Sequence, residues 1–338
     1  LELHRGTLTT HGLVKKQNRK LEWKLRSVEM LFSCLSVEDY PIEELDRLWK
    51  ILLINQFHDI IPGSSINLVY QTTHAEYEQI QKGCDQLISK SAQKLFKKDS
   101  ESFVLVNTLS YSWKGSVKIP ESLENHQILD EAGNAIPLQR TGEGLLALVD
   151  LDPLSFTSFK KGDSIVHNLE TDDDLILEND LIRYEFDEKG TLISSYDKEL
   201  EKEFMAEAGN ILSLYEDRPN NWDAWDVDFF YRDALIETAE VTHASCYSKG
   251  SVVQQLKFEY KIGNSSIQQV ISLHPQSKRL DFLTNVDWLE NHKMLRVHFP
   301  INVRAEQASF DIQYGHVRRN THRNTSWDKA KFEVVGHK

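Results

Sequence analysis

The stretch Asn55-Gln56-Phe57-His58-Asp59-Ile60-Ile61-Pro62-Gly63-Ser64-Ser65 separates two segments whose apolar residues recur at a helical spacing. The segment before it predicts a helix that runs towards Phe57. Its apolar positions are Leu45, Leu48, Trp49, Leu52 and Leu53. Pro62 and Gly63 end this helix, since proline lacks an amide donor and glycine readily adopts turn conformations. The stretch therefore predicts a tight connection between two long helices.

Two further features extend the helical pattern on either side. Residues 13–35 and residues 68–96 both show helical apolar spacing without an internal proline. Pro41 suits the first turn of the middle helix, and Ser64 or Ser65 would cap the third. Three long helices joined by two short connections predict a three-helix bundle over residues 1–100.

The apolar pattern changes to alternation after residue 100, which is typical of strands. Turn-forming runs such as Asp187-Glu188-Lys189-Gly190 separate the alternating segments. The predicted strands are residues 103–106, 115–119, 145–149, 181–186, 252–260, 267–273, 279–286 and 294–299. Short strands without intervening helices predict a large antiparallel β-sandwich region over residues 101–338, so the expected fold class is α+β and multidomain.

Charge and hydropathy argue against two classes of partner. The 338 residues carry 39 Lys+Arg and 52 Asp+Glu, a formal net charge of −13, whereas nucleic acids and anionic membranes attract clustered Lys and Arg. No run approaches the roughly 20 apolar residues that a membrane-spanning helix needs. Neither nucleic acid nor a membrane is therefore an expected partner.

The cysteines indicate a reducing compartment. Cys34, Cys84 and Cys246 are odd in number, widely spaced and without a CxxC pair, so they predict neither a disulfide framework nor a zinc ribbon. We therefore expect a cytoplasmic location.

Both ends of the chain are abrupt. It opens on Leu1-Glu2-Leu3-His4-Arg5 without an initiator methionine and closes on the strand-like run Val334-Val335-Gly336-His337-Lys338. We expect these residues to be the middle of a longer polypeptide.

A His-Asp pair, His58-Asp59, lies where the middle helix meets the Pro-Gly loop. A helix end can hold such a pair rigidly and still leave it exposed. Imidazole is a common metal ligand, and a neighbouring carboxylate can orient it or meet a polar ligand. On the local sequence alone a surface or capping pair is favoured, because a single histidine cannot complete a zinc site.

Three other polar stretches are candidates for a binding site. Residues 2–12 form a glycine-punctuated loop that either lines a polar pocket or ends in a helix cap at Thr10. Residues 216–228 combine Trp222 and Trp225 with several aspartates, which suits either sugar stacking or a tryptophan-anchored packing loop. Residues 318–328 are a basic patch, suited to a substrate-facing loop or to an exposed polar one.

These stretches together resemble glycoside hydrolase family 38, the zinc-dependent retaining α-mannosidases, in their bacterial branch. The resemblance rests first on residues 55–65 and on the opening Leu3-His4-Arg5-Gly6-Thr7. Three later runs are similar to the β-domain of the family: residues 177–192, Trp222-Asp223-Ala224-Trp225-Asp226 and Asn324-Thr325-Ser326-Trp327-Asp328. The motifs follow the family order along almost the whole chain.

The resemblance implies a domain order and a metal site. The family has an N-terminal α/β catalytic domain, a three-helix middle domain and large β-domains, so residues 1–100 would be the middle domain and residues 101–338 part of the β region. In the family, zinc is held by an Asp-x-His pair and the nucleophile Asp of the N-terminal domain, and by one histidine of the middle domain. His58 matches that histidine. The residues expected to bind substrate are Asp59, His4, Arg5, Trp222 and Trp225.

The resemblance also implies hydrolysis of terminal α-mannosidic bonds with retention. That reaction needs a carboxylate nucleophile and a carboxyl acid/base about 5–5.5 Å apart. In the family both lie in the N-terminal domain, so no catalytic residue is expected here and the chain alone is expected to be inactive. The expected partners are mannose-containing oligosaccharides, the N-terminal catalytic domain of the same polypeptide and, as an open question, a second copy of the chain.

Two alternatives stay open on the sequence. The chain could be a non-catalytic carbohydrate-binding β-sandwich module with a helical scaffold, which the Trp222 and Trp225 loop motivates. It could also be an intracellular protein-interaction bundle, for which only the helices argue.

Overall fold

The computed structural model describes residues 4–312 and 314–332, and the run 334–338 lies outside the described residues. The chain divides into two compact units. The first, called the helical unit here, comprises Leu1–Lys98, Arg218–Phe229 and Ala305–Lys338. The second, the strand unit, comprises Asp99–Asp217 and Phe230–Arg304.

Among its described residues, the helical unit has three long α-helices and a fourth that is short. They are α1 Gly12–Ser33, α2 Ile42–Asn55, α3 Asn67–Leu95 and α4 Ser326–Ala330. The apolar faces of α1, α2 and α3 form one buried cluster in which Leu25, Leu48 and Tyr77 are at most 1% exposed. This is the face that helical spacing predicts, because residues three and four apart share one side of a helix. Among the described residues, no helix is long and apolar enough to cross a membrane.

The helix ends differ from the sequence prediction at two caps. Neither Ser64 nor Ser65 caps α3, because Ile66 is its N-cap residue, and the Ser65 hydroxyl donates instead to the Asp59 carbonyl oxygen at 2.6 Å. Thr10 does not cap α1 either. His11 occupies that position with a φ of 52°, and the Thr10 hydroxyl donates to the Gly6 carbonyl oxygen. Both hydroxyls are committed to loop carbonyls and not to helix N–H groups.

Helix α2 also ends earlier than predicted. Its last residue is Asn55, not Phe57. The chain continues through tight turns, in which the N–H of Gln56 donates to the carbonyl oxygen of Leu53 at 3.2 Å. His58 and Asp59 therefore lie in the turns that follow α2 and not in the helix itself.

Nineteen strands are described between residues 102 and 320. The first ten are β1 Ser102–Asn107, β2 Trp113–Lys118, β3 His126–Leu129, β4 Leu138–Thr141, β5 Gly144–Leu151, β6 Ser155–Ser164, β7 Ile176–Glu178, β8 Ile182–Phe186, β9 Leu192–Asp197 and β10 Lys202–Glu203. The next nine are β11 Ile211–Glu216, β12 Leu235–Thr238, β13 Glu240–Lys249, β14 Gln254–Ile262, β15 Ser265–Leu273, β16 Leu280–Asp287, β17 Lys293–His298, β18 Gln307–Ile312 and β19 Gly315–Asn320.

All the paired strands run antiparallel. The sheet orders are β1-β6-β3, β2-β5-β4, β10-β9-β8-β7, β12-β11-β17, β13-β14-β15-β16 and β18-β19. The strand unit holds two buried apolar clusters, one around Leu145 and Phe159 and one around Leu214 and Phe258. Alternation along β14 and β15 places one face of each strand in the second cluster, as expected for a half-buried sheet.

The coarse fold class is confirmed, since helices precede a β-rich, antiparallel region. Each of the eight predicted strands overlaps an observed one. The boundary at residue 100 stays a prediction. The structure adds that residues 218–229 and 305–338, which the sequence placed with the strands, group with the helices.

Candidate functional site

The turn after α2 presents His58 and Asp59 at the surface of the helical unit. The Ile60 N–H donates to the Phe57 carbonyl oxygen at 2.9 Å, and the Gly63 N–H to that of Ile60 at 3.1 Å. The side chains of His58 and Asp59 are 71% and 49% exposed, and His58 Nε2 lies 3.3 Å from Asp59 Oδ2. The pair is therefore accessible to a ligand.

The backbone of this turn is anchored from below by Tyr70. The Tyr70 side chain is buried, and its hydroxyl lies 3.3 Å from the Ile60 carbonyl oxygen and 3.5 Å from that of Asp59. It also accepts the Ser65 N–H at 2.9 Å. Fixed main chain with exposed side chains is the arrangement that a preorganised binding site requires.

The loop before α1 packs against the loop that follows β11. The Gly6 N–H donates to the Trp225 carbonyl oxygen at 3.0 Å. A Cβ atom on Gly6 would lie 3.1 Å from the Asp226 carbonyl oxygen and 3.2 Å from that of Ala224. Glycine is needed at this position because two backbones approach each other closely.

His4 lies against Trp225 in the same contact. Their ring centroids are 5.1 Å apart and the planes are inclined by 72°, an edge-on arrangement. His4 Nδ1 is buried and has no hydrogen-bond partner among the described residues. The structure thus brings together two predicted substrate-binding residues that are far apart in sequence.

Arg5 is engaged within the chain on all sides. Its side chain is 9% exposed, and Nη1 lies 3.4 Å from Asp226 Oδ1. Nε donates to the Phe332 carbonyl oxygen at 3.0 Å and Nη2 to that of Ala330 at 2.9 Å. The guanidinium therefore links three segments of the helical unit, and its expected contact with substrate stays a prediction.

Trp222 combines a strained backbone with an exposed indole. Its φ is 66°, in the left-handed region that costs a bulky residue about 1–3 kcal/mol. Its carbonyl oxygen accepts the N–H groups of Trp225 at 2.8 Å and Asp226 at 2.9 Å, which hold that conformation. The residue is 65% exposed, so the ring is available for stacking.

Two of the aspartates near Trp222 accept main-chain N–H groups of their own loop. Asp228 accepts the Asn220 N–H at 2.7 Å, and Asp226 accepts the N–H of Val227 at 2.9 Å. These contacts hold the loop, and Asp226 Oδ1 also lies 3.4 Å from Arg5 Nη1.

The basic patch at residues 318–328 is organised around a short helix. Thr325 caps α4 by accepting the Asp328 N–H at 3.1 Å, and its hydroxyl donates to the Asp328 carboxylate at 2.6 Å. His322 Nδ1 lies 3.6 Å from the same carboxylate. These side chains satisfy one another, which is the role of a helix cap.

The His58 turn and the Trp225 loop are connected through Thr10. The Thr10 hydroxyl donates to the Gly6 carbonyl oxygen at 2.8 Å and lies 3.4 Å from that of Ala224. Lys15 Nζ donates to the Thr10 carbonyl oxygen and, at 2.7 Å, to that of Ile61 in the turn. This link cannot be predicted from the sequence, because main-chain carbonyls are common to all residue types.

Burial shifts the pKa values of two groups at this link, Lys15 and His11. Burial lowers the pKa of Lys15 to about 8. It also lowers the pKa of His11, and the positive charges of Lys15 and His74 lower it further. The His11 ring stacks on Tyr70 with centroids 3.9 Å apart. Both groups therefore favour their neutral forms more than they would in water.

The described residues provide only some of the ligands that the expected metal ion would need. Among the described residues, no group of three or more His, Cys, Asp or Glu side chains could hold a metal ion. Zinc in proteins is typically held by three or four protein ligands. His58 is exposed enough to be one of them, so the described residues fit a metal only if other ligands come from outside them.

Two family models match this chain. The model described as "Alpha mannosidase middle domain" matches residues 2–95, and "Glycosyl hydrolases family 38 C-terminal domain" matches residues 177–338. The chain belongs to glycoside hydrolase family 38, as the sequence motifs predicted.

Curated relatives agree over the full length of the chain. It is 34% identical over 357 residues to Alpha-mannosidase 2C1 of Homo sapiens, covering 100% of this chain and 33% of that protein. It is 34% identical over 389 residues to Alpha-mannosidase G of Dictyostelium discoideum, covering 100% of this chain and 35% of that protein. The chain thus spans about a third of the length of the curated relatives it matches.

Two solved structures from Enterococcus faecalis share the fold. One, a protein in glycosyl hydrolase family 38, gives a TM-score of 0.72 at 18% identity, covering 94% of this chain and 48% of that chain. The other, an alpha-mannosidase from strain V583, gives 0.75 at 17% identity, covering 97% of this chain and 47% of that chain.

Proposed function

We propose that these residues are part of a zinc-dependent α-mannosidase that hydrolyses terminal α-mannosidic bonds with retention. The observation that carries the proposal is the exposed His58-Asp59 pair on an anchored turn, in a chain of this family. Mannose-containing oligosaccharides are the substrates and the N-terminal catalytic domain of the same polypeptide is the partner.

In this proposal His58 contributes one ligand to the metal. The remaining ligands come from residues outside this chain, consistent with the share of the relatives that it spans. A bound zinc ion would supply Lewis-acid stabilisation of charge on substrate oxygens. Asp59 accepts a hydrogen bond from a sugar hydroxyl, and the exposed indole of Trp222 offers a face for the pyranose ring.

We further propose the finer architecture that the resemblance implies. Residues 1–100 are a three-helix middle domain, and residues 101–338 are β-sandwich domains of the C-terminal region. His4, Arg5 and Trp225 lie on the substrate side of the helical unit. The edge-on contact of His4 with Trp225 and the ion pair of Arg5 with Asp226 support this placement. A cytoplasmic location, a bacterial source and assembly into a homo-oligomer stay predictions of the sequence.

Zinc content tests the metal role. In the natural polypeptide that contains these residues, His58→Ala should lower bound zinc and α-mannosidase activity sharply, because one of about four ligands is lost. His316→Ala is the matched control, since His316 is also exposed but lies on β19. Wild-type zinc content in His58→Ala, measured by elemental analysis, would remove His58 from the site.

An activity assay of the isolated chain tests whether the catalytic residues lie outside it. The 338 residues alone should not hydrolyse an activated aryl α-mannoside, because the carboxylate pair of a retaining glycosidase is expected in the N-terminal domain. Turnover by the purified chain would overturn this part of the proposal.

The second candidate is a non-catalytic carbohydrate-binding module. The exposure of Trp222 is the observation that favours it. Titrating mannose against the isolated chain while following tryptophan fluorescence separates the two functions. Saturable binding without zinc favours a module, and no binding favours the supporting part of a larger enzyme.

A further inference from the structure

We propose that Lys15 is a positioning residue that fixes the turn carrying His58 and Asp59 against the loop that contacts Trp225. The inference rests on the proposed function only because it takes His58 and Asp59 as part of the site. The contacts of Lys15 do not depend on that function.

The Lys15 side chain reaches from α1 to two main-chain acceptors. Nζ donates to the Thr10 carbonyl oxygen, just before α1, and to the Ile61 carbonyl oxygen at 2.7 Å. Ile61 lies two residues after Asp59 in the same series of turns. A single ammonium group therefore joins the start of α1 to the turn that follows α2.

Thr10 carries the connection onward. Its hydroxyl donates to the Gly6 carbonyl oxygen, and the N–H of Gly6 donates to the Trp225 carbonyl oxygen at 3.0 Å. Thr10 also packs against Gly63, where a Cβ atom would lie 2.8 Å from the Thr10 carbonyl oxygen. Lys15 is thus the side chain that closes a chain of contacts from the turn to the Trp225 loop.

The location of Lys15 is unfavourable for a cation, which argues that its contacts matter. It lies in the first turn of α1, where the helix dipole repels positive charge. Among the described residues, no carboxylate pairs with it, and its side chain is partly buried. A lysine without a structural role would extend its ammonium group into solvent.

The matched control is the next residue along the helix. Lys16 is exposed, so Lys16→Met changes the same charge without touching the two carbonyls. Lys15→Met keeps an unbranched, apolar side chain but removes all donors. Lys15→Arg keeps both donors and charge, and should restore the contacts in part.

Hydrogen exchange in the 338-residue chain tests the positioning directly. In Lys15→Met we expect amide exchange within residues 57–63 to become about tenfold faster, because the turn opens locally at a lower free-energy cost. Exchange in the core of α3 should not change. Lys16→Met should match the wild type and Lys15→Arg should lie between. Unchanged exchange at the turn in Lys15→Met would overturn the proposal. If that variant does not fold, Lys15→Gln replaces it, since its shorter amide cannot span both carbonyls.

Kinetics of the natural polypeptide then separate this inference from the proposed function. For mannoside hydrolysis, Lys15→Met should raise KM severalfold and lower kcat much less, because Lys15 touches neither substrate nor metal. A wild-type enzyme without mannosidase activity would remove the proposed function and leave the exchange result to decide the positioning role. Activity of Lys15→Met equal to wild type in both constants would count against positioning of the site.

Discussion

The guanidinium carbon of Arg5 lies 3.8 Å from the centre of the Phe332 ring, while Nε of the same side chain donates to the Phe332 carbonyl oxygen. Phe332 is the last residue that the structure describes, and Arg5 is near the first. One side chain therefore makes a stacking contact, main-chain hydrogen bonds and an ion pair with Asp226. Arginine suits this role because its planar fork can stack and donate in several directions at once.

We predict that Arg5→Lys loosens the segment after α4. Lysine keeps the charge but cannot reach Asp226, Ala330 and Phe332 together, so the loss should amount to about 1–3 kcal/mol of local stability. Limited proteolysis and amide exchange of residues 326–332 provide the measurement. Arg19→Lys, at an exposed pair with Glu22, is the control and should change neither. Wild-type protection in Arg5→Lys would contradict the prediction.

We predict that Gly63→Ala is strongly destabilising. Gly63 has a φ of +96°, and an added Cβ would lie 2.8 Å from both the Cγ2 and the carbonyl oxygen of Thr10. Backbone strain and the clash together should cost about 2–4 kcal/mol. Urea unfolding gives the change in stability. Gly12→Ala is the control, because an added Cβ there meets nothing within 4 Å, and its stability should stay within about 0.5 kcal/mol.

We predict that Lys15 makes the stability of the helical unit rise with pH in the alkaline range. Its pKa is lowered from 10.5 to about 8 by burial, so between these values the unfolded chain binds more protons than the folded one. The free energy of unfolding contributed by Lys15 therefore increases as pH rises from about 8 to 10.5. His11, whose pKa is lowered from 6.5, titrates below this window.

Unfolding of the wild type and of Lys15→Met across this pH range measures the effect. The wild type should gain stability relative to the variant as pH rises, whereas Lys16→Met should follow the wild type. A stability difference that is flat or that falls with pH would show that Lys15 keeps its ordinary pKa.

We predict that Gln139→Leu destabilises the strand unit by about 3–5 kcal/mol, since it leaves several buried main-chain and hydroxyl groups unpaired. Gln139 is 7% exposed. Its Nε2 donates to Ser248 Oγ at 2.6 Å and to the Val253 carbonyl oxygen at 2.7 Å. Its Oε1 accepts the N–H groups of Val252 and Val253 at 2.8 and 2.9 Å.

Chemical denaturation of the chain checks this prediction. Gln268→Leu, on the exposed side of β15, is the matched control and should change stability by less than about 0.5 kcal/mol. Equal unfolding midpoints for the two variants would show that the Gln139 contacts contribute little.

Periodicity predicted the elements well because it reports burial. The apolar spacing of residues 13–35 places Leu21, Leu25 and Val28 on one face, and all three are buried in the structure. Helix ends were predicted less well. Ser65 has the residue type of a cap, yet its hydroxyl donates to the Asp59 carbonyl oxygen, a competition that local sequence does not reveal.

The amino-acid sequence alone is enough to predict the order of helices and strands, the family motifs and the position of His58-Asp59 near a helix end. These features depend on residue type and on spacing along the chain, which are visible in one dimension. Which loops meet becomes visible only in the folded chain. Three features depend on main-chain atoms or on the close approach of distant segments. They are the Gly6 contact with Trp225, the Lys15 contacts with Thr10 and Ile61, and the grouping of residues 218–229 with the helices. Main-chain donors and acceptors are the same in nearly every residue, so only the folded chain selects among them.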